Sequence, residues 1–358
     1  MSWPRLVIDQ DLLAQNVRRV VNICKDQGIS VAGVTKGLCA HPGIAEILLA
    51  EGCSYLADSR ITNLISLRYA FPDAQLMLLR IPMLSEIPFM VKYTDCALVS
   101  MPRTIQAIES FCSSVNRRYQ IIVMCDLGDL REGILLEDMD HIIRILCDCH
   151  HVECIGIGVN FGCFGGVLPS VSKLQKLVDA GRALEMQTGH PLQIFSGGST
   201  SSLALLERGE IPEGVNNLRI GEAFFLGTDV TGKRNIPYLH RDLMHLEAEI
   251  VEIWRKPSCP FGTIGADAFG NIPSFEDRGS RLRAIVAVGQ QDLRISGVRP
   301  MYSGLEILGG SSDHMILDIE DNKDNLEIGQ ILKFGLDYGA MLSLATSPYV
   351  QIHMTGQA

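Results

Sequence analysis

Between residues 31 and 220 the chain repeats one phrase eight times: a short apolar run, a polar turn, then a stretch with helical spacing. The runs are VAGVT (31–35), SYLA (54–57), QLMLL (75–79), ALVS (97–100), YQIIVMC (119–125), ECIGIGV (153–159), LQIFS (192–196) and NLRI (217–220). The intervening stretches include PGIAEILLAEG, with Pro42 suited to a first helical position, MPRTIQAIESFCSSV, and the long LPSVSKLQKLVDAGRALEMQ. Strands that alternate with helices pair in parallel, because each crossover returns the chain to the same edge. Eight such units fit a closed (β/α)₈ TIM barrel better than an open doubly wound sheet. No GxGxxG follows the first strand to favour a dinucleotide fold.

The grammar changes near residue 235. LMHLEAEIVEIW, RLRAIVAVG, EILGGSSDHMILDIED and QILKFGLDYG are strand-like runs joined by Gly, Pro and Asp turns, although HRDLMHLEAEIVEIW is equally compatible with a helix. The expectation is α/β overall: a barrel over residues 1–235 and a C-terminal mainly-β domain over 236–358. With 358 residues, 47% hydrophobic and 20% charged, there is material for two cores. A net charge of -10 without a basic cluster argues against nucleic acid or an anionic membrane as partner. Arg5 and Asp9 interrupt any leader-like apolar run, and nowhere do about 18 uncharged apolar residues run together. Eleven cysteines without a secretion signal read as reduced thiols, hence a cytoplasmic protein.

In a (β/α)₈ barrel the reactive groups sit at the C-terminal strand ends. Read in order, those ends carry Lys36, then Asp58-Ser59-Arg60, Arg80, DLGDLREG (126–133), Asn160, SGGST (196–200) and RIGE (219–222). Backbone N–H groups and hydroxyls after the last two strands form the usual phosphate cradle of these barrels. A lysine across the mouth from such a cradle suggests an amine that condenses with a phosphorylated aldehyde. Desolvation lowers its pKa and favours the neutral nucleophile. Pyridoxal 5'-phosphate carries both the aldehyde and the phosphate.

These segments, in this order, resemble the alanine racemase-like, fold-type III pyridoxal phosphate enzymes over nearly the whole chain. LVIDQDLLAQNV, VAGVTKG, ADSR, DLGDLREG, LRIGEAFFLG and DYGAMLSLAT carry the likeness, and ADSR, DLREG and DAFG look closest to ornithine and lysine racemases. The resemblance implies that Lys36 holds the cofactor as a Schiff base and acts at one face of Cα. It places Ser199, Thr200, Gly221 and Tyr338 at the phosphate, with Asn160 and Glu222 also around the cofactor. Arg219 would face the pyridine nitrogen. A cation there keeps the ring a weak electron sink, which suits racemisation. Arg131 and Asp313 fall at substrate-proximal positions, although Arg131 would equally serve in an ion pair with a neighbouring carboxylate. The implied assembly is a homodimer with a shared site, acting on an amino acid, ornithine or lysine first. Asp58, Asp129, Glu132 and Asp267 are the mouth carboxylates to meet a basic side chain.

The chain departs from the family where alanine racemases supply a second-face tyrosine from the partner subunit. GTIGADAFGNIPSF has none, which leaves Asp267 as the candidate second acid/base, its pKa expected to rise by burial; its alternative is a plain turn residue. CDCHHVEC (147–154) lacks paired zinc knuckles and lies on the face opposite the strand ends, so no metal is assigned. Two rivals share the fold: a decarboxylase, against which Arg219 argues, and a non-catalytic cofactor-binding protein, against which the second domain argues.

Overall fold

Each of the eight apolar runs is a strand, and the strands close on themselves. In the computed structural model, which describes residues 3–356, they are β2 (Ser30–Val34), β3 (Tyr55–Asp58), β4 (Leu76–Leu78) and β5 (Cys96–Val99). β6 (Tyr119–Cys125), β7 (Val152–Val159), β8 (Ile194–Ser196) and β9 (Asn217–Ile220) complete the ring. Neighbours pair in parallel all the way round, and β9 returns to β2 through Val31 opposite Leu218 and Ala32 opposite Arg219. Alternate residues fill the interior: Ala32, Val34, Ala57, Met77, Cys96, Leu98, Ile122, Met124, Ile155 and Ile194 form one buried cluster. The barrel is therefore a packed core, and chemistry is confined to its rim.

The outer helices follow ordinary capping rules. Helix Val171–Thr188 starts at Ser170, whose Oγ accepts the Lys173 N–H at 3.3 Å, and stops at Gly189 with φ 72°. Past β9, β10 (Thr228–Asp229) and β11 (Arg234–Asn235) make a small hairpin.

Residues 11–241 form one compact unit; residues 3–10 and 242–356 form the other. The second unit holds β1 (Arg5–Asp9), β12 (Met244–Pro257), β13 (Ser280–Val286), β14 (Val298–Pro300), β15 (Glu306–Gly310), β16 (Met315–Asp318), β17 (Ile331–Leu336) and β18 (Gln351–Thr355). They run in the order β14-β17-β12-β13-β16-β15, with β1 beside β12 and β18. The stretch that read as helix or strand is a strand. Met244, Leu246, Ala248 and Ile250 are buried while His245, Glu247 and Glu249 are less so, a period of two.

The first strand differs from expectation. It pairs with β12 (Leu6 opposite Leu246) and β18 (Leu6 opposite Ile352), so it belongs to the β unit and not to the barrel with which the sequence reading grouped it. All eleven cysteines are free thiols. Among the described residues no helix is long and apolar enough to cross a membrane.

Candidate active site

β2 ends at Val34, and the chain turns through Thr35 into a short 3₁₀ turn, Lys36–Leu38. Cys39 and Ala40 then adopt positive φ (49° and 54°), an uncommon setting for non-glycine residues and a mark of local strain. Thr35 Oγ1 donates to the buried Asp58 carboxylate at the end of β3 (2.8 Å), which fixes the turn that carries Lys36. The Lys36 side chain is half-buried and makes no hydrogen bond or ion pair within the described residues. Burial pushes its ammonium below the ordinary lysine value; Arg131 and Arg219 push the same way, and Cys163 and Asp58 oppose them.

DLGDLREG, after β6, has a physical rationale at each fixed position. Asp126 Oδ1 accepts the N–H groups of Gly128 (2.8 Å) and Leu130 (3.2 Å). Gly133 has φ 134°, and a Cβ there would lie 2.4 Å from the Asp126 nitrogen, so only glycine returns the chain to the strand. Between them stands Arg131, exposed and ion-paired with Glu132. Asp129, buried, accepts the N–H groups of Cys163 (3.1 Å) and Phe164 (3.0 Å) and pins the loop after β7.

Arg219, on β9, is 4% exposed. Its Nη2 donates to the Val159 carbonyl (2.8 Å) and to Asn160 Oδ1 (2.5 Å), and its Nη1 donates to Ser196 Oγ. Burial pushes the guanidinium down to about 10, still a cation at neutral pH. Asn160 donates in turn to Glu132.

The two final strand ends are tied together. The Ala223 N–H donates to Thr200 Oγ1 (3.3 Å), and the Arg219 N–H to the Gly198 carbonyl (3.0 Å). Gly198 has φ 110°, with Ser202 Oγ 2.8 Å from any Cβ. Ser199 and Gly221 precede short helical turns, and Glu222 turns its carboxylate toward Thr228 Oγ1 and the Val230 N–H (2.8 Å each). Ser201 Oγ, in the same turn as Thr200, is buried without a hydrogen-bond partner among the described residues.

The barrel thus gathers Lys36, Arg131, Asn160, Ser199, Thr200, Arg219, Gly221 and Glu222 at its strand ends. Tyr338, Asp267 and Asp313 belong to the β unit. Tyr338 opens the helix Tyr338–Thr346, capped by Asp337, whose Oδ1 accepts the Ala340 N–H at 2.8 Å. Asp313 is exposed in the turn between β15 and β16, where it accepts from Ser312 Oγ (2.5 Å). The expectation that burial raises Asp267 is corrected: its side chain is exposed and accepts from the Asn271 N–H (2.8 Å), the Phe269 N–H (2.9 Å) and Asn271 Nδ2 (3.2 Å). Those donors hold it below the usual carboxylate range, the Asn271 N–H foremost. They are the bonds of a turn residue. Asp58 and Asp129 are likewise spent, so neither is open to a substrate ammonium.

Sequence reasoning grouped Ser196 with the SGGST cradle and not with Arg219, missed Ser201, and counted Glu132 only as a charge at the mouth. The run of hydroxyls in SGGSTSS is the signal for Ser201; nothing in the spacing signals that Glu132 reaches Asn160. In CDCHHVEC, Glu109 organises the turn, accepting from the His150, His151 and Val152 N–H groups.

The family model "Alanine racemase, N-terminal domain" matches residues 8–229. Two curated relatives are each 41% identical: a lysine racemase of Thermotoga maritima, over 98% of both chains, and an ornithine racemase of Acetoanaerobium sticklandii, over 98% of this chain and 99% of the relative. Among solved structures, the alanine racemase of Streptomyces coelicolor superposes with a TM-score of 0.78 over 99% of this chain and 98% of its own, at 16% identity. With a family match over more than half its length and two relatives spanning it nearly end to end, the chain belongs to the alanine racemase family.

Proposed function

We propose that this protein is a pyridoxal phosphate-dependent racemase of basic amino acids, with lysine and ornithine as its substrates. The observation that carries the reading is the half-buried, hydrogen-bond-free Lys36 at the barrel end that also holds the SGGST cradle and buried Arg219. The two relatives named for lysine and ornithine support the substrate class.

The residues present fit the cofactor. Lys36 is the amine for covalent attachment. Ser199, Thr200 and Gly221 would hold the phosphate, and the unpartnered Ser201 hydroxyl gives that turn one more donor. Arg219 retains two unused N–H groups for the ring nitrogen, and Asn160 fixes its guanidinium. When bound, the cofactor supplies the electron-withdrawing system that lets the Cα proton leave. Lys36, its pKa lowered by burial, moves that proton at one face. Arg131 binds the substrate carboxylate; the phosphate role of Tyr338 and the substrate role of Asp313 rest on the family resemblance alone.

The working unit in this reading is a cytoplasmic homodimer with shared sites. The loop 258–279 presents Phe261 (89% exposed), Ile272 (85%) and Phe275 (46%) in a single chain, large apolar side chains that a second subunit would cover. Asp267 lies in that loop, and its acid/base role rests on that assembly. The test is incubation of the purified protein with each L-amino acid and chiral chromatography of the products. D-lysine or D-ornithine should form fastest. Release of carbon dioxide, or no turnover of any amino acid, overturns the proposal.

A further inference from the structure

Arg219 and Arg131 share one counter-charge. Glu132 holds Arg131 through both oxygens, Nη2 to Oε1 at 2.6 Å and Nε to Oε2, and the same Oε1 accepts the Asn160 amide. Asn160 hands its oxygen to Arg219 at 2.5 Å. The carboxamide has one acceptor end and one donor end, so its orientation is dictated from both sides. Reversed, it would set N–H groups against a guanidinium and an oxygen against a carboxylate.

The donor count on Arg219 makes this orientation matter. A guanidinium has five N–H groups in a rigid plane. Both on Nη2 are used, by Val159 O and Asn160 Oδ1, and one on Nη1 is used by Ser196 Oγ. Ser196 Oγ donates onward to Asn217 Oδ1 at 2.7 Å, so that side of the guanidinium is also anchored. What remains is Nε–H and one Nη1–H, and where they aim is set by the groups that hold the other three. Glu132 is also the carboxylate whose charge opposes the burial of Arg219, against the repulsion of Arg131.

We infer that Glu132 is a positioning residue: through the Asn160 amide it aims Arg219 and offsets part of its charge, while through Arg131 it ties that setting to the substrate side of the mouth. The inference rests on the cofactor reading above. It assigns Glu132 a role other than meeting a basic substrate side chain, since both its oxygens are already engaged by this chain.

The experiment is a double-mutant cycle on the holoenzyme with Glu132→Gln, Asn160→Ala and the pair. Three readouts are taken: affinity of the apoprotein for pyridoxal phosphate by fluorescence titration, the position of the visible absorption band, and kcat and KM separately. Each single variant should lose about tenfold in cofactor affinity or kcat and should displace the band, and the pair should lose no more than either alone, because both cut one relay. Glu132→Asp, which keeps the charge, should recover most of the loss. Additive losses, or an unmoved band in Glu132→Gln, overturn the inference. A wild-type protein that takes up no cofactor, or whose borohydride-reduced tag is not on Lys36, overturns the parent reading instead, and is scored before any variant is made. If Glu132→Gln does not fold, Asn160→Ala alone decides on the spectroscopic readout.

Discussion

Lys36 at the barrel mouth and Asp267 in the loop between β12 and β13 are both ionisable groups in turns, yet their surroundings differ in kind. Lys36 is set by several strands at once: Asp58 of β3 grips the preceding threonine, and Arg131 and Arg219 lie close enough to press on its charge. Asp267 is set by residues 269–271 alone, and its surroundings are solvent. A group held by many elements is perturbed away from its ordinary behaviour; one held by its own turn is merely fixed in place.

The comparison is sharpest if Lys36 is removed. Lys36→Ala should abolish covalent cofactor attachment and lower kcat/KM about a thousandfold or more, read by chiral chromatography and by loss of the borohydride tag. The backbone of the mouth is next. Gly133→Ala should destabilise the protein by about 3 kcal/mol in urea unfolding, since its Cβ meets backbone at φ 134°. Asp267→Asn should cost about a hundredfold in racemisation if the loop completes a neighbouring subunit's site, with solvent deuterium still entering one enantiomer. Full activity in that variant would leave Asp267 a turn residue only. Gly270→Ala, also at positive φ (82°) but with open space around its Cβ, should cost roughly 1 kcal/mol, less than Gly133→Ala. A reversed ranking would break the contrast between the two regions.

The smallest effect is on pH. A half-buried lysine with a lowered pKa binds fewer protons folded than unfolded between its folded value and the ordinary value near 10.4. Stability of the cofactor-free protein should therefore rise with pH through that window. Lys36→Met should remove the rise, which thermal melts across alkaline pH would detect.

Much of the barrel was legible because its strands are buried on both faces and read as unbroken apolar runs. Gly133 and Asp126 were legible as a motif because their constraint is local backbone geometry. The place of β1 was not legible: RLVID announces a strand, but its partners lie at residues 244–247 and 351–355, and periodicity carries no record of the partner. The site followed the same division. Lys36 and Arg219 stood at strand ends, where register alone places them. Whether Asp58 and Asp129 were free or spent depended on hydrogen bonds to backbone that composition cannot express.

The placement of β1 has a consequence for synthesis. Arg5–Asp9 leaves the ribosome long before its partners: antiparallel β12 begins at Met244 and parallel β18 ends at Thr355. At roughly 5–20 residues per second, that strand waits on the order of ten seconds to a minute with its edges unpaired. Meanwhile the barrel, whose pairings are all between neighbours except the closing one, can assemble behind it. The nascent chain therefore carries an exposed apolar strand, LVI, through most of its elongation. A circular permutant that begins at residue 11 and carries residues 1–10 after residue 358 through a flexible linker would make β1 after both partners, so that the strand meets them as it emerges. It should yield more soluble protein than the native order when chaperones are limiting.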